Sequence, residues 1–144
     1  MGGYKTHIAV GLLCTTLALL VFNYFGVLDL KFAISAILIS IVYSQLPDID
    51  IQSSKIRWIL TVSGLGIAFV YLAIFDNNRL ATIYLGLVLI MWVIGLIPKF
   101  GHRGVTHTII AGIVFSSLLF YYDYWLVVIA FINYLSHLVV DRKR

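Results

Sequence analysis

Residues 8–25 read IAVGLLCTTLALLVFNYF, a run of eighteen residues without a charged side chain. An α-helix needs about 20 mostly apolar residues to cross the hydrocarbon core of a bilayer, within a range of about 17–25. Lys5 precedes this run, so a secretory signal peptide is an alternative interpretation. The run is long for the apolar part of a signal peptide, and no small-residue cleavage site follows Phe25. We therefore expect a retained membrane-spanning helix.

The composition of the whole chain agrees with a membrane location. Of its 144 residues, 62% are hydrophobic and 11% are charged, and the mean hydropathy is +1.04. A soluble domain has about half apolar and about a quarter charged residues, and a disordered chain has few apolar residues. The length predicts one domain over residues 1–144, here a membrane-embedded helical one. The one cysteine, Cys14, excludes a disulfide framework and a thiolate metal site.

Polar residues divide the chain into six apolar spans, so we predict an all-α polytopic bundle of about six transmembrane helices. The spans cover about Ile8–Phe25, Phe32–Leu46, Ile56–Phe75, Leu80–Ile97, Val105–Phe120 and Trp125–Val140. Pro47 and Pro98 end the second and fourth spans. The second, fifth and sixth spans are short for a bilayer unless their polar ends also lie at membrane depth. The segment Ser63-Gly64-Leu65-Gly66 predicts close helix packing.

The basic residues predict the orientation of the bundle. With six alternating spans, one face carries eight Lys and Arg residues, namely Lys5, Lys55, Arg57, Lys99, Arg103, Arg142, Lys143 and Arg144. The opposite face carries Lys31 and Arg79. Since basic residues collect in cytoplasmic loops, we predict that both termini are cytoplasmic. The charges are spread over four segment ends, which argues against a nucleic-acid partner and leaves membrane lipid as the surroundings.

The histidines and half of the acidic residues collect on the same predicted face. The chain has four histidines, six aspartates and no glutamate. Seven of these residues fall at the predicted cytoplasmic ends of the spans: His7, Asp48, Asp50, His102, His107, His137 and Asp141. Asp29, Asp76 and Asp123 fall in the turns of the opposite face. Because ionisable residues at membrane depth are costly and usually functional, we predict that the seven residues form one shared site.

The spacing of these residues suits metal binding. His137 and Asp141 are four residues apart, so a helix presents both from one side. Pro47 biases Leu46 away from α geometry, and an extended Asp48-Ile49-Asp50 segment would point both carboxylates in one direction. Imidazole and carboxylate ligands without thiolate suit Zn²⁺, with Mn²⁺ or Fe²⁺ as alternatives, and seven candidates are enough for one or two metal ions per chain.

Each of these residues also has a structural interpretation when it is taken alone. A single histidine near a helix end is often an interfacial or capping residue. An aspartate after a proline is often a turn or N-cap residue, and Asp141 beside Arg142 could form an ion pair at the membrane surface. These interpretations do not explain why all four histidines and three of the six aspartates share one face. We therefore favour the shared metal site.

Four short motifs along the chain occur in a recognisable order. They are Thr6-His7-Ile8-Ala9-Val10-Gly11, Leu46-Pro47-Asp48-Ile49-Asp50, His102-Arg103-Gly104-Val105-Thr106-His107 and His137-Leu138-Val139-Val140-Asp141. Together they resemble the YdjM-like family of small inner-membrane proteins, described as membrane-bound metal-dependent hydrolases. The resemblance implies a multi-pass protein of a prokaryotic inner membrane with a His/Asp metal site and hydrolase activity. That family is distantly similar to the zinc-dependent phospholipase C fold, which implies hydrolysis of a phosphoester.

This resemblance leads to a hypothesis for the mechanism. A divalent metal ion activates a water molecule as the nucleophile at neutral pH. Asp48 or Asp50 would bridge metal ions or accept the proton of the water. Arg103 would contact a phosphoryl oxygen, and a topology charge facing lipid phosphates is an equally good interpretation of this residue. A site at the level of the headgroups favours a lipid or lipid-linked substrate over a soluble metabolite.

Two other functions remain open at this point. A metal-independent lipid phosphatase would use Gly101-His102 with His137 and Asp141, but such enzymes need an arginine six residues before the second histidine, where this chain has Phe131. They also need a first motif rich in Lys and Arg, which the Leu46–Asp50 region lacks. A divalent-metal transporter, or a metal-binding protein without enzymatic activity, is the other alternative. Transport predicts ligands near the bilayer midplane, whereas the candidates here lie at one face.

Overall fold

The computed structural model describes residues 4–50, 54–73, 78–95 and 105–142, and it contains no strand within these ranges. Six α-helices follow one another in this described part of the chain: α1 (Tyr4–Tyr24), α2 (Leu30–Tyr43), α3 (Ser54–Ala73), α4 (Asn78–Gly95), α5 (Ile109–Ser117) and α6 (Tyr124–Arg142). Short 3₁₀ helices cover Leu46–Asp50, Val105–His107 and Leu118–Tyr121. The predicted all-α bundle with six helical segments is therefore confirmed.

Polar side chains begin three of the helices. Asp29 is the N-cap of α2 and accepts a hydrogen bond from the backbone N–H of Phe32 at 2.6 Å. Asp123 accepts one from the N–H of Trp125 at 2.7 Å, where α6 begins. Thr108 is the N-cap of α5. Such caps satisfy N–H groups that have no partner within the helix. Two of the three aspartates on the far face thus have a structural role.

The bundle is organised around α6 and is apolar on its outside. Helix α6 packs against α1, α2 and α5, while α3 and α4 pack mainly against each other. The core along α2 and α6 contains small and branched residues, among them Ala36, Ile39, Leu126, Ile129 and Ala130. Large apolar side chains are exposed on the outer surfaces, for example Leu13, Leu17 and Leu20 of α1. A surface of this kind suits a lipid solvent and would be a liability in water.

Three helical stretches that carry predicted site residues are longer than the apolar spans of the sequence, whereas the fifth stays short. Three described stretches are long and apolar enough to cross a membrane, namely Tyr4–Tyr24, Leu30–Asp48 and Tyr124–Arg142. The apolar stretches Leu60–Ala73, Asn78–Ile90 and Ile109–Tyr121 are shorter. The second and sixth spans gain their length because helical backbone continues to Asp48 in one and to Arg142 in the other. The polar ends of these two spans therefore continue their apolar parts as helical backbone.

The prediction of an extended Asp48-Ile49-Asp50 segment was wrong. These residues belong to the 3₁₀ helix Leu46–Asp50, in which the N–H of Asp48 donates to the carbonyl of Gln45 at 3.1 Å. The physical reason is that the φ angle fixed by a proline also fits a 3₁₀ turn. Pro47 thus does not continue α2, which ends at Tyr43, but it permits a tighter helical turn in place of an extended segment.

A buried polar network joins α6 to α1 and α2. The Nδ2 of Asn133 donates to the hydroxyl of Thr15 at 2.8 Å, and the hydroxyl of Ser40 donates to the Oδ1 of Asn133 at 2.8 Å. All three side chains are buried. Gly11 makes room for this network, because a Cβ atom there would lie 2.6 Å from Asn133 Oδ1 and 2.9 Å from Ser44 Cβ. The absence of a side chain at position 11 is what lets the three helices meet.

Close packing also occurs between α3 and α4, as the glycine cluster of the sequence predicts. A Cβ atom on Gly64 would lie 2.6 Å from a methyl group of Val88, which confirms the prediction at that position. A Cβ atom on Gly66 would have nothing within 4 Å, so this second glycine faces open space. The two glycines of one helix therefore have opposite tolerance for a methyl group.

Replacement of Gly11 by alanine is expected to destabilise the fold by about 1–3 kcal/mol, the usual cost of inserting a methyl group into a packed core. Gly66→Ala is the matched control, since the same change meets nothing there. Thermal unfolding in a mild detergent measures both variants. A Gly11→Ala protein as stable as Gly66→Ala would contradict the close approach of α1 to α6.

Candidate metal centre

Four side chains from three segments converge at one end of the bundle. Asp48 comes from the 3₁₀ helix Leu46–Asp50, His107 from the 3₁₀ helix Val105–His107, and His137 and Asp141 come from α6. One ligand atom of each residue lies within 4.8 Å of those of the other three. Asp48 and His137 are buried, whereas His107 and Asp141 are partly buried. We call these four residues the His/Asp cluster.

Four of the six separations within the His/Asp cluster are close to the edges of a tetrahedral metal site, and the other two lie within 4.8 Å. The Nε2 atom of His137 lies 3.3 Å from Asp48 Oδ1 and 3.6 Å from Asp141 Oδ2. The Nε2 atom of His107 lies 3.4 Å from Asp48 Oδ1 and 3.6 Å from Asp141 Oδ2. Ligand atoms placed about 2.0–2.1 Å from a tetrahedral zinc ion are about 3.3–3.4 Å apart. The cluster can therefore hold a metal ion with little movement.

The two ring nitrogens of His137 have different surroundings. Nδ1 lies 2.7 Å from the carbonyl oxygen of Ser44, and because a carbonyl only accepts, Nδ1 carries the proton and donates it to this bond. Nε2 is buried and makes no hydrogen bond within the described part of the chain. A neutral ring in this tautomer directs the Nε2 lone pair towards two carboxylate oxygens. A cation among these three atoms satisfies all of them, and this is the usual arrangement of a metal-ligating histidine.

The carbonyl of Ser44 is available to His137 because of Pro47. In a 3₁₀ turn this carbonyl would accept the N–H of residue 47, and proline has none. The N–H of Asp48, which an α-helix would direct to Ser44, donates to Gln45 instead. The side chain of Gln45 also donates to the Ser44 carbonyl, at 3.2 Å, and to the carbonyl of Tyr4, at 3.2 Å. The second accepted bond thus fixes this carbonyl and connects it to the start of α1.

His7 lies beside the His/Asp cluster without belonging to it. Its Nε2 atom lies 3.4 Å from Asp141 Oδ1, the carboxylate oxygen opposite to the one near His107 and His137. Its ring stacks on that of His137, with centroids 3.9 Å apart and an interplanar angle of 18°. Two like charges this close would repel by about 4 kcal/mol at an effective dielectric constant near 20. The close stacking thus couples the charge of one ring to that of the other.

The segment that carries His107 is fixed by α6. The hydroxyl of Tyr134 donates a hydrogen bond to the carbonyl of Thr106, the residue before His107. Tyr134 is buried, and its ring packs on Gly112 of α5, where a Cβ atom would lie 2.8 Å from the ring. One helix thus supplies two residues of the cluster and holds the segment that supplies a third.

The structure brings together most of the predicted metal ligands. Asp48, His107, His137 and Asp141 form the cluster, and His7 contacts it. His102, Arg103 and the side chain of Asp50 lie outside the described residues. The alternative interpretation of Asp141, an ion pair with Arg142, is wrong. The carboxylate of Asp141 lies against three histidines instead.

Several residues that shape the site were not predicted from the sequence. Ser44 acts through its backbone carbonyl, which no side-chain pattern reveals. Asn133 and Tyr134 act through buried hydrogen bonds, and they precede His137 by four and three residues on α6. Pro47 was the one visible signal, because a proline four residues after a helix end leaves a carbonyl without its backbone donor.

Comparison with known proteins identifies one family. A family model described as "YdjM inner membrane protein" matches residues 1–142. No curated protein and no solved structure matches the chain. The matched region includes every segment that supplies a residue of the His/Asp cluster.

Removal of a cluster ligand is expected to abolish stoichiometric metal binding. His137→Ala and Asp48→Asn should lose the ion, whereas His7→Ala should retain it with an affinity about 10–100-fold lower, the usual effect of losing a residue that orients a ligand. Elemental analysis and titration against a chelator measure both quantities in purified protein. Asp29→Asn, which changes a helix cap at the other end, is the matched control. Loss of metal from the control, or full occupancy in His137→Ala, would contradict the site.

Replacement of Pro47 by alanine is expected to weaken metal binding without unfolding the protein. The new N–H can donate to the Ser44 carbonyl and compete with His137, so the ring loses its orientation and affinity falls about 10–100-fold. Ser44→Ala is the control, because it keeps the carbonyl and removes only the hydroxyl. Helix content from circular dichroism should be unchanged in both variants. Equal metal affinities for the two would show that Pro47 does not act through this carbonyl.

Proposed function

Because the chain belongs to the YdjM family of inner membrane proteins, we propose that it is a membrane-bound, metal-dependent hydrolase of a lipid or lipid-linked phosphoester. The observation that carries the proposal is the arrangement of groups around the two ring nitrogens of His137. Its Nδ1 is bound to the Ser44 carbonyl, and its buried Nε2 faces carboxylate oxygens of Asp48 and Asp141. This is the usual arrangement of a metal-ligating histidine, with one ring nitrogen held by a carbonyl and the other directed towards the ion.

The ligand set of the cluster supports one divalent metal ion. Two imidazoles and two carboxylates without thiolate suit zinc best, with manganese or iron as alternatives. Such an ion would act as a Lewis acid on a phosphoryl oxygen and would activate water. A second ion would need more ligands, and we assign His7, Asp50 and His102 to that role. The distances between the ligand atoms of the His/Asp cluster support the first ion. The position of His7, whose Nε2 lies near Asp141 Oδ1, supports the second ion.

The side chains of this chain have distinct roles in the proposed reaction. Hydrolysis joins a water oxygen to phosphorus, breaks the ester P–O bond and releases the alcohol with a proton. We assign the proton of the attacking water to Asp48, whose Oδ1 faces both histidines while the second carboxylate oxygen remains for this transfer. Asp50 is the alternative base. Arg103 is proposed to contact a phosphoryl oxygen, as its position between the motif histidines suggests.

The location of the cluster supports a lipid substrate. His7 lies near the start of α1 and Asp141 near the end of α6, and both helices are long enough to span a bilayer. These positions support our proposal that the cluster lies at a membrane surface, at the depth of phosphate headgroups. The excess of basic residues on this side, eight against two in the predicted topology, leads us to propose the cytoplasmic surface.

Neither of the two alternative functions has comparable support. If the protein were a metal-independent lipid phosphatase, the spacing of the His/Asp cluster, which suits a metal ion, would have no role. A transporter would need polar groups leading through the bundle. The buried polar atoms of Asn133 in the middle of α6 are instead engaged by Thr15 and Ser40.

The proposed activity is expected to depend on bound metal and on Asp48. Protein in vesicles should hydrolyse at least one of a panel containing phosphatidic acid, phosphatidylglycerol and a soluble aryl phosphate, with products identified by mass spectrometry. A chelator should remove the activity and zinc should restore it. Asp48→Asn should lose the metal ion and with it the activity, whereas Asp29→Asn should keep both.

Three results would overturn this proposal. Hydrolysis that survives the chelator would indicate a metal-independent phosphatase. Metal flux into vesicles without any hydrolysis would indicate a transporter. An equal rate for Asp48→Asn and Asp29→Asn would separate the cluster from the reaction.

A further inference from the structure

A cleft of about 330 Å³ opens directly beside the His/Asp cluster. It is lined by His107, Ile109, Leu138, Asp141 and Arg142. Its volume lies at the lower end of the range of about 300–1,000 Å³ that is typical of small-molecule sites. Because two of its five lining residues belong to the cluster, a molecule in this cleft would be next to the metal ligands.

One wall of the cleft carries a positive charge without a carboxylate partner. Arg142 is exposed in the last turn of α6, and no ion pair joins it to an acidic residue in the described ranges. Its neighbour Asp141 is directed towards the histidines instead. A guanidinium group binds phosphate oxygens through two parallel N–H donors. The polar end of the cleft therefore favours an anionic oxygen group.

The other wall of the cleft is apolar and continues along the outside of the bundle. Ile109, which lines the cleft, is 58% exposed, and Ile113, one turn further along the same face of α5, is 54% exposed. Val139 of α6 is exposed next to Leu138. Exposed apolar side chains thus follow the cleft along α5, into the region that the membrane would surround. An alkyl chain attached to the anionic group would lie along it.

We propose that this cleft binds the phosphate headgroup of a lipid, with Arg142 contacting the phosphate and the chain lying along α5. This inference rests on the proposed hydrolase function and deepens it, since it names the residue that selects an anionic headgroup and the face by which the lipid enters. The lipid then reaches the cluster laterally from the bilayer. A soluble phosphate carries the same kind of charge but has no alkyl chain that could contact the apolar wall.

The proposal is tested with two probes that share the anionic group and differ in the chain. Dodecylphosphonate is a lipid-like anion that cannot be hydrolysed, and inorganic phosphate lacks the chain. Affinities are measured by calorimetry on the full chain in a non-ionic detergent, together with the metal content of each sample. Arg142→Gln should weaken both probes by about tenfold to a hundredfold, the range for loss of a hydrogen bond to a charged group.

Two further variants separate the apolar wall from the charge. Ile109→Ser should weaken dodecylphosphonate about fivefold and leave inorganic phosphate unchanged, since only the chain meets this residue. Lys5→Gln is the matched control, because it removes one exposed positive charge from the same end of the bundle without lining the cleft. The affinities of both probes should be the same in Lys5→Gln as in the wild type. All four proteins should keep the same metal content.

The possible results divide clearly between this inference and the hydrolase proposal. Equal phosphonate affinity in wild type and Arg142→Gln, with metal and hydrolysis intact, would overturn the headgroup site and leave the hydrolase standing. An Ile109→Ser protein that binds both probes as wild type does would show that the anion is soluble and not lipid-linked. Wild-type protein without metal and without hydrolysis would contradict the proposed function, whatever the phosphonate affinities are.

Discussion

The hydrogen bond from His137 Nδ1 to the Ser44 carbonyl is the interaction on which the site depends. It fixes the orientation of the ring, so that Nε2 faces the carboxylates of Asp48 and Asp141, and in a neutral ring this nitrogen carries the lone pair. The bond exists because Pro47 offers no N–H to that carbonyl. A residue that ends a helix thus creates the acceptor that orients a histidine from a helix more than ninety residues away in the sequence, the separation between Ser44 and His137 being 93.

The precision of this contact requires that α6 keep a fixed rotation and depth relative to α1 and α2. In a membrane the hydrophobic effect does not press helices together, so packing and hydrogen bonds between helices have to do so. Asn133 supplies such bonds to Thr15 and Ser40, one turn before His137. Each bond of this kind contributes about 0.6–2 kcal/mol. Several such hydrogen bonds on α6 fix the position of this helix, and with it the positions of His137 and Asp141.

The sequence predicts the fold better than it predicts the site. Long apolar runs reveal the helices, and the scarcity of charges makes each ionisable residue conspicuous. The roles of the aspartates are less visible, because Asp29 caps a helix and Asp48 faces two histidines, although both stand next to a helix end. Distances between segments decide this difference. Arg142 looked like a topology charge for the same reason, since only the folded chain shows the cleft beside it.

Charge balance explains why this particular donor set can lie at the edge of a membrane. Buried charges are costly in a medium of low dielectric constant unless they are compensated. Two carboxylates carry two negative charges and two neutral imidazoles carry none, so a divalent ion makes the cluster neutral. Arg142 lines the cleft beside this centre, and its positive charge would attract the anionic headgroup that we propose. The composition of the cluster and the charge of its neighbour thus favour the same class of ligand.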